Sequence, residues 1–352
     1  MTSVAPPLTR QISRQRQQHR VLIPILALTL IVLAITSIAT GAVKIDISKL
    51  AEIILNHDQT SARDYVIIWS VRLPRTLLAM SVGASLATSG AILQGLFRNP
   101  LADPGLVGVS SGSVLAAVLT IVIGQNMFGA SATQFLPISA FFGGLLTTIL
   151  LYTVATRNGR TYTATMLLAG IAISAIAMAI TGVLIFMSTE QQLREFTFWS
   201  LGSLAGATWA KTASVAVFMA IAIGLWPILA RGLDRLALGE AEAGHMGVNV
   251  QVLKRVAIIA TALLTGAAVS VSGAIGFIGL VVPHLLRLLM SPRHRFLVPA
   301  AALLGAILLL VADMIARTIV APAELPIGIV TAVIGGPVFL WMLLTNVRQL
   351  EG

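Results

Sequence analysis

Arg72 and Arg75 stand three residues apart at the head of an apolar run, so a helix there projects both from one face. Arg317 closes another apolar run. Guanidinium groups stay charged and grip carboxylates with two parallel hydrogen bonds, which suits these arginines to receiving acidic side chains. Two plainer readings stand beside this one. Arginines at helix ends snorkel to the membrane surface, and Arg317 lies four residues after Asp313, close enough to pair with it. A second polar group sits in 231–255, RGLDRLALGEAEAGHMGVNVQVLKR. Glu240, Glu242 and His245 there offer handles to a soluble partner, or merely keep a connector in water. Other chemistry is missing. The chain has no cysteine, which excludes disulfides and thiolate metal sites. It has no G-x-x-x-x-G-K-[ST] phosphate loop, and none of its four lysines (44, 49, 211 and 254) follows a glycine. Asp313 is the one carboxylate near the interior of an apolar run, so the acidic relay of an ion-coupled secondary transporter is not evident.

The elements that must position these groups are membrane helices. The chain is 57% hydrophobic and 10% charged, where a soluble domain carries about 25% charge. The net charge of +10 does not point to nucleic acid, because the charges collect in short loops between apolar runs. The first apolar run shows no small-residue cleavage site and reads as a span and not a signal peptide. A bilayer core needs about 20 apolar residues per helix. Ten candidate spans meet that need: 21–41, 74–97, 106–124, 135–156, 163–187, 209–230, 256–272, 275–290, 296–319 and 326–345. Residues 256–290 form one run broken by Gly273, Gly276 and Gly279, which fits a full span followed by a short or broken helix. With the N-terminus inside, inner segments hold fifteen of the 23 Lys and Arg, which favours both termini inside. The expected architecture is an all-α integral membrane protein. A single transmembrane domain, 21–348, is flanked by cytoplasmic tails, 1–20 and 349–352. The 42–71 segment lies outside, at the surface. Within 231–255, Gly239, Gly244 and Gly247 break the helical pattern and predict two short surface helices.

A repeat organises the spans. Residues 83–92 read GASLATSGAI and 266–275 read GAAVSVSGAI, with six of ten positions identical at an offset of 183. Each copy has a proline ten residues after its second glycine, Pro100 and Pro283. The first copy lies in a span running inward and the second in a span running outward. That is an inverted repeat relating spans two to five with seven to ten, the mark of transporters whose halves move around a central path.

At 231–255 the chain resembles the iron-siderophore, haem and vitamin B12 family of ABC importer permeases. LALGEAEAGHMGVNV is similar to that family's cytoplasmic coupling segment. RLPRTLLAMSVGASLATSGAILQGLFRNPLADPGLVGVSSG, SGAIGFIGLVVPHLLRLL and ELPIGIVTAVIGGPVFLWML resemble its three signatures, so the likeness covers nearly the whole chain. The resemblance implies ten helices per subunit and a homodimer in the bacterial inner membrane. It implies two ATP-binding subunits and a periplasmic binding protein as partners. It also implies that 231–255 seats in the ATPase, with Leu238, Gly239, Glu240, His245 and Gly247 at the contact. Arg72, Arg75 and Arg317 would receive glutamates of the binding protein. The cytoplasmic gate would involve Asn99, Leu101, Tyr162 and Thr163, although Asn99-Pro100 is also a turn signal by itself.

Three stretches look closest to the haem branch: STEQQLREFTFWSLGSL, GEAEAGHMGVNV and ARTIVAPAELPIG. Haem is then the transported substrate, delivered by a haem-binding protein, with a ferric siderophore or vitamin B12 as the other cargoes. No cofactor is expected to stay bound, and ATP belongs to the partner. Imidazole is the commonest haem ligand, yet of His19, His57, His245, His284 and His294 only His57 falls on the outer side. None is assigned as an axial ligand or a metal site.

Overall fold

A computed structural model describes residues 8–41 and 62–350. Part of the 42–71 segment, His57 included, lies outside the described residues, as do the ends of both tails. The helices are α1 (Leu8–Ala39), α2 (Leu73–Phe97), α3 (Val109–Leu119), α4 (Leu136–Ala155), α5 (Thr163–Phe186) and α6 (Glu190–Ser200). They continue with α7 (Trp209–Leu236), α8 (Glu240–His245), α9 (Val250–Ser272), α10 (Ile278–Leu289), α11 (His294–Ala316) and α12 (Ile327–Leu350). Among the described residues, seven stretches are long and apolar enough to cross a membrane, and α10 and part of α12 are shorter apolar helices. One of the seven, Val109–Ala155, has 47 residues. Straight, it would reach about 70 Å, more than twice the hydrocarbon core. It folds back instead at the 3-10 turn Gly129–Phe135, where Gly129 has φ +69°. α3 and α4 then pack against each other through Gly112, Gly143 and Gly144, where any side chain would strike the opposite helix.

α2 is the central helix. Pro74 sits in its first turn, where its missing N–H is not needed. Its small residues let neighbours approach closely, and it is buried along most of its length. Its last turn ends on Arg98, in the left-handed region at φ 50°. A tight hairpin, β1 (Thr156–Arg157) and β2 (Arg160–Thr161), joins α4 to α5. Asn158 and Gly159 supply the two positive φ angles that such a turn needs.

The helix packing follows the repeat. Exchanging α2 to α5 with α9 to α12 turns the pair α2·α11 into α9·α4, and both pairs are packed. The same exchange maps α3·α4 onto α10·α11, α3·α5 onto α10·α12, and α2·α10 onto α9·α3, and all of these are in contact. α1 and α7 stand outside the exchange.

Several elements differ from the sequence expectation. α9 begins at Val250, six residues before the predicted span, because Lys254 is only 3% exposed and its charge is neutralised inside the protein. α7 extends to Leu236 for a similar reason: an apolar face continues past Arg231. The predicted pair of surface helices in 231–255 is therefore a single one, α8. Residues 8–20 of the predicted tail are helical and continue into the first span. At the outer end of α9, Ser203 N–H donates to Ser272 O (2.8 Å), while Ile327 and Gly328 N–H donate to Gly202 O and Leu201 O (3.0 Å each). These bonds stitch α6, α9 and α12 together.

Candidate functional site

At the outer end, three arginines converge: Arg72 just before α2, Arg75 in its first turn, and Arg317 just after α11. Arg75 donates through Nε and Nη2 to Asp313 at 3.0 and 2.9 Å, and through Nη1 to Glu324 Oε1 at 2.8 Å. Asp313 is 1% exposed, and a carboxylate so placed is stable only with such a grip. Arg317 donates through Nη2 to Ser37 O (2.9 Å) and Ser37 Oγ (2.8 Å). Its Nε lies 3.5 Å from Asp313 Oδ2, an ion pair too long to count as a strong hydrogen bond. Arg72 donates through Nη1 to Ile38 O (2.7 Å) and Ala39 O (3.0 Å), so it caps the carbonyl end of α1. The expected arginine trio is thus brought together, but facing inward: Arg72, Arg75 and Arg317 are 5%, 7% and 8% exposed. Asp313 pairs chiefly with Arg75, 238 residues away in sequence, and only secondarily with Arg317. Glu324, with 39% of its side chain exposed, is the group of this cluster that faces solvent.

At the inner end, α8 is held by its ends. Gly239 has φ +127°, and a side chain there would collide with the Glu242 carboxylate. Glu240 pairs with Lys254 Nζ at 2.7 Å. Lys254 Nζ also donates to Thr161 O (2.8 Å), and Thr161 N–H donates to Gln251 Oε1 (2.9 Å). One buried ammonium therefore ties α8, α9 and the β-hairpin together. Arg235 Nη1 donates to Met246 O (3.2 Å) at the other end of α8. Leu238 (67% exposed) and Met246 (41%) stay open, with His245 and Gly247 exposed beside them. Apolar side chains on an otherwise polar surface suit coverage by a soluble protein. The basic partner of Glu240 is thus found within the chain.

The four gate positions separate into two loops. Asn99 Oδ1 accepts from Leu101 N–H (2.9 Å) and shapes the turn after α2. Asp103 Oδ1 accepts from Gly105 N–H (2.8 Å) in the same loop. Burial pushes the Asp103 carboxyl above its usual range, opposed by that N–H. Tyr162, 51% exposed, closes the hairpin through its N–H to Ala155 O (3.0 Å), and Thr163 starts α5. Asn99 lines an inner cavity with Arg98 and Arg287, and Tyr162 and Thr163 do not. Among the described residues no group of three or more His, Asp or Glu could hold a metal.

Sequence reasoning missed Lys254 and Glu324. Lys254 lies fourteen residues from Glu240, beyond any local pairing rule. Glu324 opens the third signature stretch but is an ordinary loop residue by composition.

A polytopic helical domain with a repeat, polar clusters at both mouths and no phosphate loop is the membrane-embedded subunit of a transporter. The chain belongs to the FecCD transport family, whose family model matches residues 6–345. It is 46% identical over 341 residues to the hemin transport system permease protein HmuU of Yersinia pestis, covering 96% of this chain and 99% of that one. It is 40% identical over 335 residues to the vitamin B12 import system permease protein BtuC of Salmonella typhi, covering 95% and 98%. Among solved structures, a metal-chelate type ABC transporter in an inward-facing conformation superposes with a TM-score of 0.80 at 33% identity, covering 92% of this chain and 98% of that one. The protein is an ABC importer permease of the inner membrane, a transport subunit whose ATP hydrolysis falls to a separate ATPase.

Proposed function

We propose that this permease carries haem from the periplasm to the cytoplasm. The observation that supports this cargo is the end-to-end likeness to a hemin permease, stronger than that to a vitamin B12 permease. The second reading keeps the machinery and changes the cargo to vitamin B12 or a ferric siderophore. In the haem reading the chain works as a homodimer with two ATP-binding subunits and a periplasmic haem-binding protein. The α8 segment, with Leu238, Gly239, Glu240, His245 and Gly247, seats in the ATPase. Its displacement passes through Glu240 and Lys254 to α9 and the hairpin. Asn99, Leu101, Tyr162 and Thr163 form the inner gate.

Arg72, Arg75 and Arg317 receive carboxylates of the binding protein. Because Glu324 already holds Arg75, an incoming carboxylate must take its place, and Glu324 acts as an internal competitor. Glu324→Gln then tightens docking, whereas Arg75→Glu weakens it and leaves ATPase assembly intact. Proteoliposomes test the whole reading. With the ATPase, ATP and a haem-binding protein, haem accumulates. Accumulation without the ATPase would overturn the importer reading. Transport of vitamin B12 or a ferric siderophore in preference to haem would overturn the cargo alone.

A further inference from the structure

α2, α7 and α11 border two open cavities, one above the other, with α1 closing part of the upper and α10 part of the lower. The upper, about 490 Å³, is almost wholly apolar and is lined by Met80, Ala84, Trp226, Val298, Ala302 and Leu303. The lower, about 550 Å³, lies at the inner end and is lined by Arg98, Arg287, Arg293, His294, Asp234 and Gln94. The step between them is short on every helix. It is six residues on α2 (Thr88 to Gln94), eight on α7 (Trp226 to Asp234) and four on α11 (Val298 to His294), or roughly 6 to 12 Å. The Trp226 indole marks the junction, with its N–H 3.5 Å from His294 O. Along α11 the two cavities together span His294 to Ala306, about 18 Å, close to the depth of one hydrocarbon leaflet.

The charges of the lower cavity do not balance. Asp234 is its one carboxylate, and it is engaged by His294 through the backbone N–H (2.7 Å) and Nδ1 (2.9 Å). Arg287 donates to Gln94 Oε1. Arg98 and Arg293 are exposed and have no acidic partner among the described residues. Three guanidinium groups around one engaged carboxylate attract an anion. The apolar groove directly above attracts a hydrocarbon chain. We propose that this groove is a binding site for an anionic phospholipid of the inner leaflet. Its phosphate meets Arg98 and Arg293, with Arg287 behind, and an acyl chain runs along Met80, Ala302 and Leu303. A free phosphate would leave the apolar groove without a purpose. A soluble partner could meet the exposed arginines but would not fill the apolar cavity above them.

The test uses the permease assembled with its ATPase, equilibrated with mixed phosphatidylglycerol and phosphatidylcholine vesicles, then purified in detergent. Retained lipid is identified by native mass spectrometry. Phosphatidylglycerol is retained in preference to phosphatidylcholine. The double variant Arg98→Gln/Arg293→Gln lowers that retention roughly thirty-fold, the effect of two cationic side chains at about 1 kcal/mol each. Arg98→Lys/Arg293→Lys keeps most of it, which guards against misfolding of the neutral variant. Ala302→Phe fills the groove and expels the lipid with the head pocket untouched. Equal retention of the two lipids, or retention unchanged in both the Gln and Phe variants, would overturn the proposal. So would displacement by inorganic phosphate together with indifference to Ala302→Phe, which makes the pocket a free-anion site. Loss of ATPase assembly in the Gln variant with lipid retention unchanged assigns the pocket to the ATPase contact and also overturns it.

Discussion

Gly83 and Gly266 hold one place in the two repeat copies, and Gly90 and Gly273 hold another. In the first copy both glycines sit inside α2, and each meets the backbone of a neighbouring helix. A side chain at Gly83 would come within 2.8 Å of the Gly305 carbonyl carbon, and one at Gly90 within 2.7 Å of Gly279 Cα. In the second copy Gly266 faces the ring of Phe141 at 3.4 Å, an ordinary contact. Gly273 no longer lies in a helix. It ends α9 at φ +72° and presses on Trp199 and Gly202. The same residue is a packing surface in one half and a chain terminator in the other. A repeat fixes where small residues occur, and the neighbours decide what they do.

The ion cluster sharpens this contrast, because it joins α2 of the first half to α11 of the second and the exchange does not reproduce its central arginine. The repeat equivalent of Arg75 is Ile258, a buried apolar residue of α9. Asp313→Ala leaves Arg75 buried with Glu324 alone, and is expected to cost about 3–5 kcal/mol in denaturation of the detergent-purified protein. Ile258→Val, at the equivalent place, is expected to cost about 1 kcal/mol. Equal losses would mean that the cluster contributes no more than ordinary packing. Gly90→Ala and Gly273→Ala come next, at about 3 kcal/mol each. They differ in kind: at Gly90 the obstacle is packing alone, whereas Gly273 combines φ 72° and ψ −170°, a region open essentially to glycine, with the Trp199 carbonyl in the way of any side chain, so Gly273→Asn recovers nothing. Gly83→Ala is expected to cost about 2 kcal/mol, since Gly305 is backbone and cannot rotate aside. Gly266→Ala is expected within about 0.5 kcal/mol of the parent, since helix propensity offsets a mild contact. If Gly83→Ala and Gly266→Ala behave alike, the asymmetry of the two copies fails.

The helices were legible in the sequence because hydropathy is a local property. Gly273 and Gly276 marked the break between α9 and α10, and helix lies at each predicted span. The repeat was legible as six identical letters, and the packing pattern follows its exchange. Helix ends were less legible where a charge is buried. Lys254 looked like a loop residue until Glu240 and the Thr161 carbonyl were seen to surround it. The arginines were found by type and spacing, but their inward orientation was not. Their partners, Asp313, Glu324 and the last carbonyls of α1, come from segments joined only by the tertiary fold. For the same reason the unbalanced charges of Arg98 and Arg293 emerged only when α2, α7 and α11 were brought side by side.

Lys254 has a mechanical consequence. α9 is a rod of 23 residues, about 35 Å long. Its outer end is fastened through Ser272 to Ser203 and, by way of 201–202, to the start of α12. Its inner end is clamped to α8 and the hairpin by one ammonium group. If the proposed ATPase contact pushes on α8, the force enters α9 at its inner end, opposite the fastening beside Gly273. A tilt of about 5° shifts the inner end by roughly 3 Å and leaves the outer end nearly still. A movement confined to that inner end would spare the arginine cluster, which lies at the opposite end of the molecule.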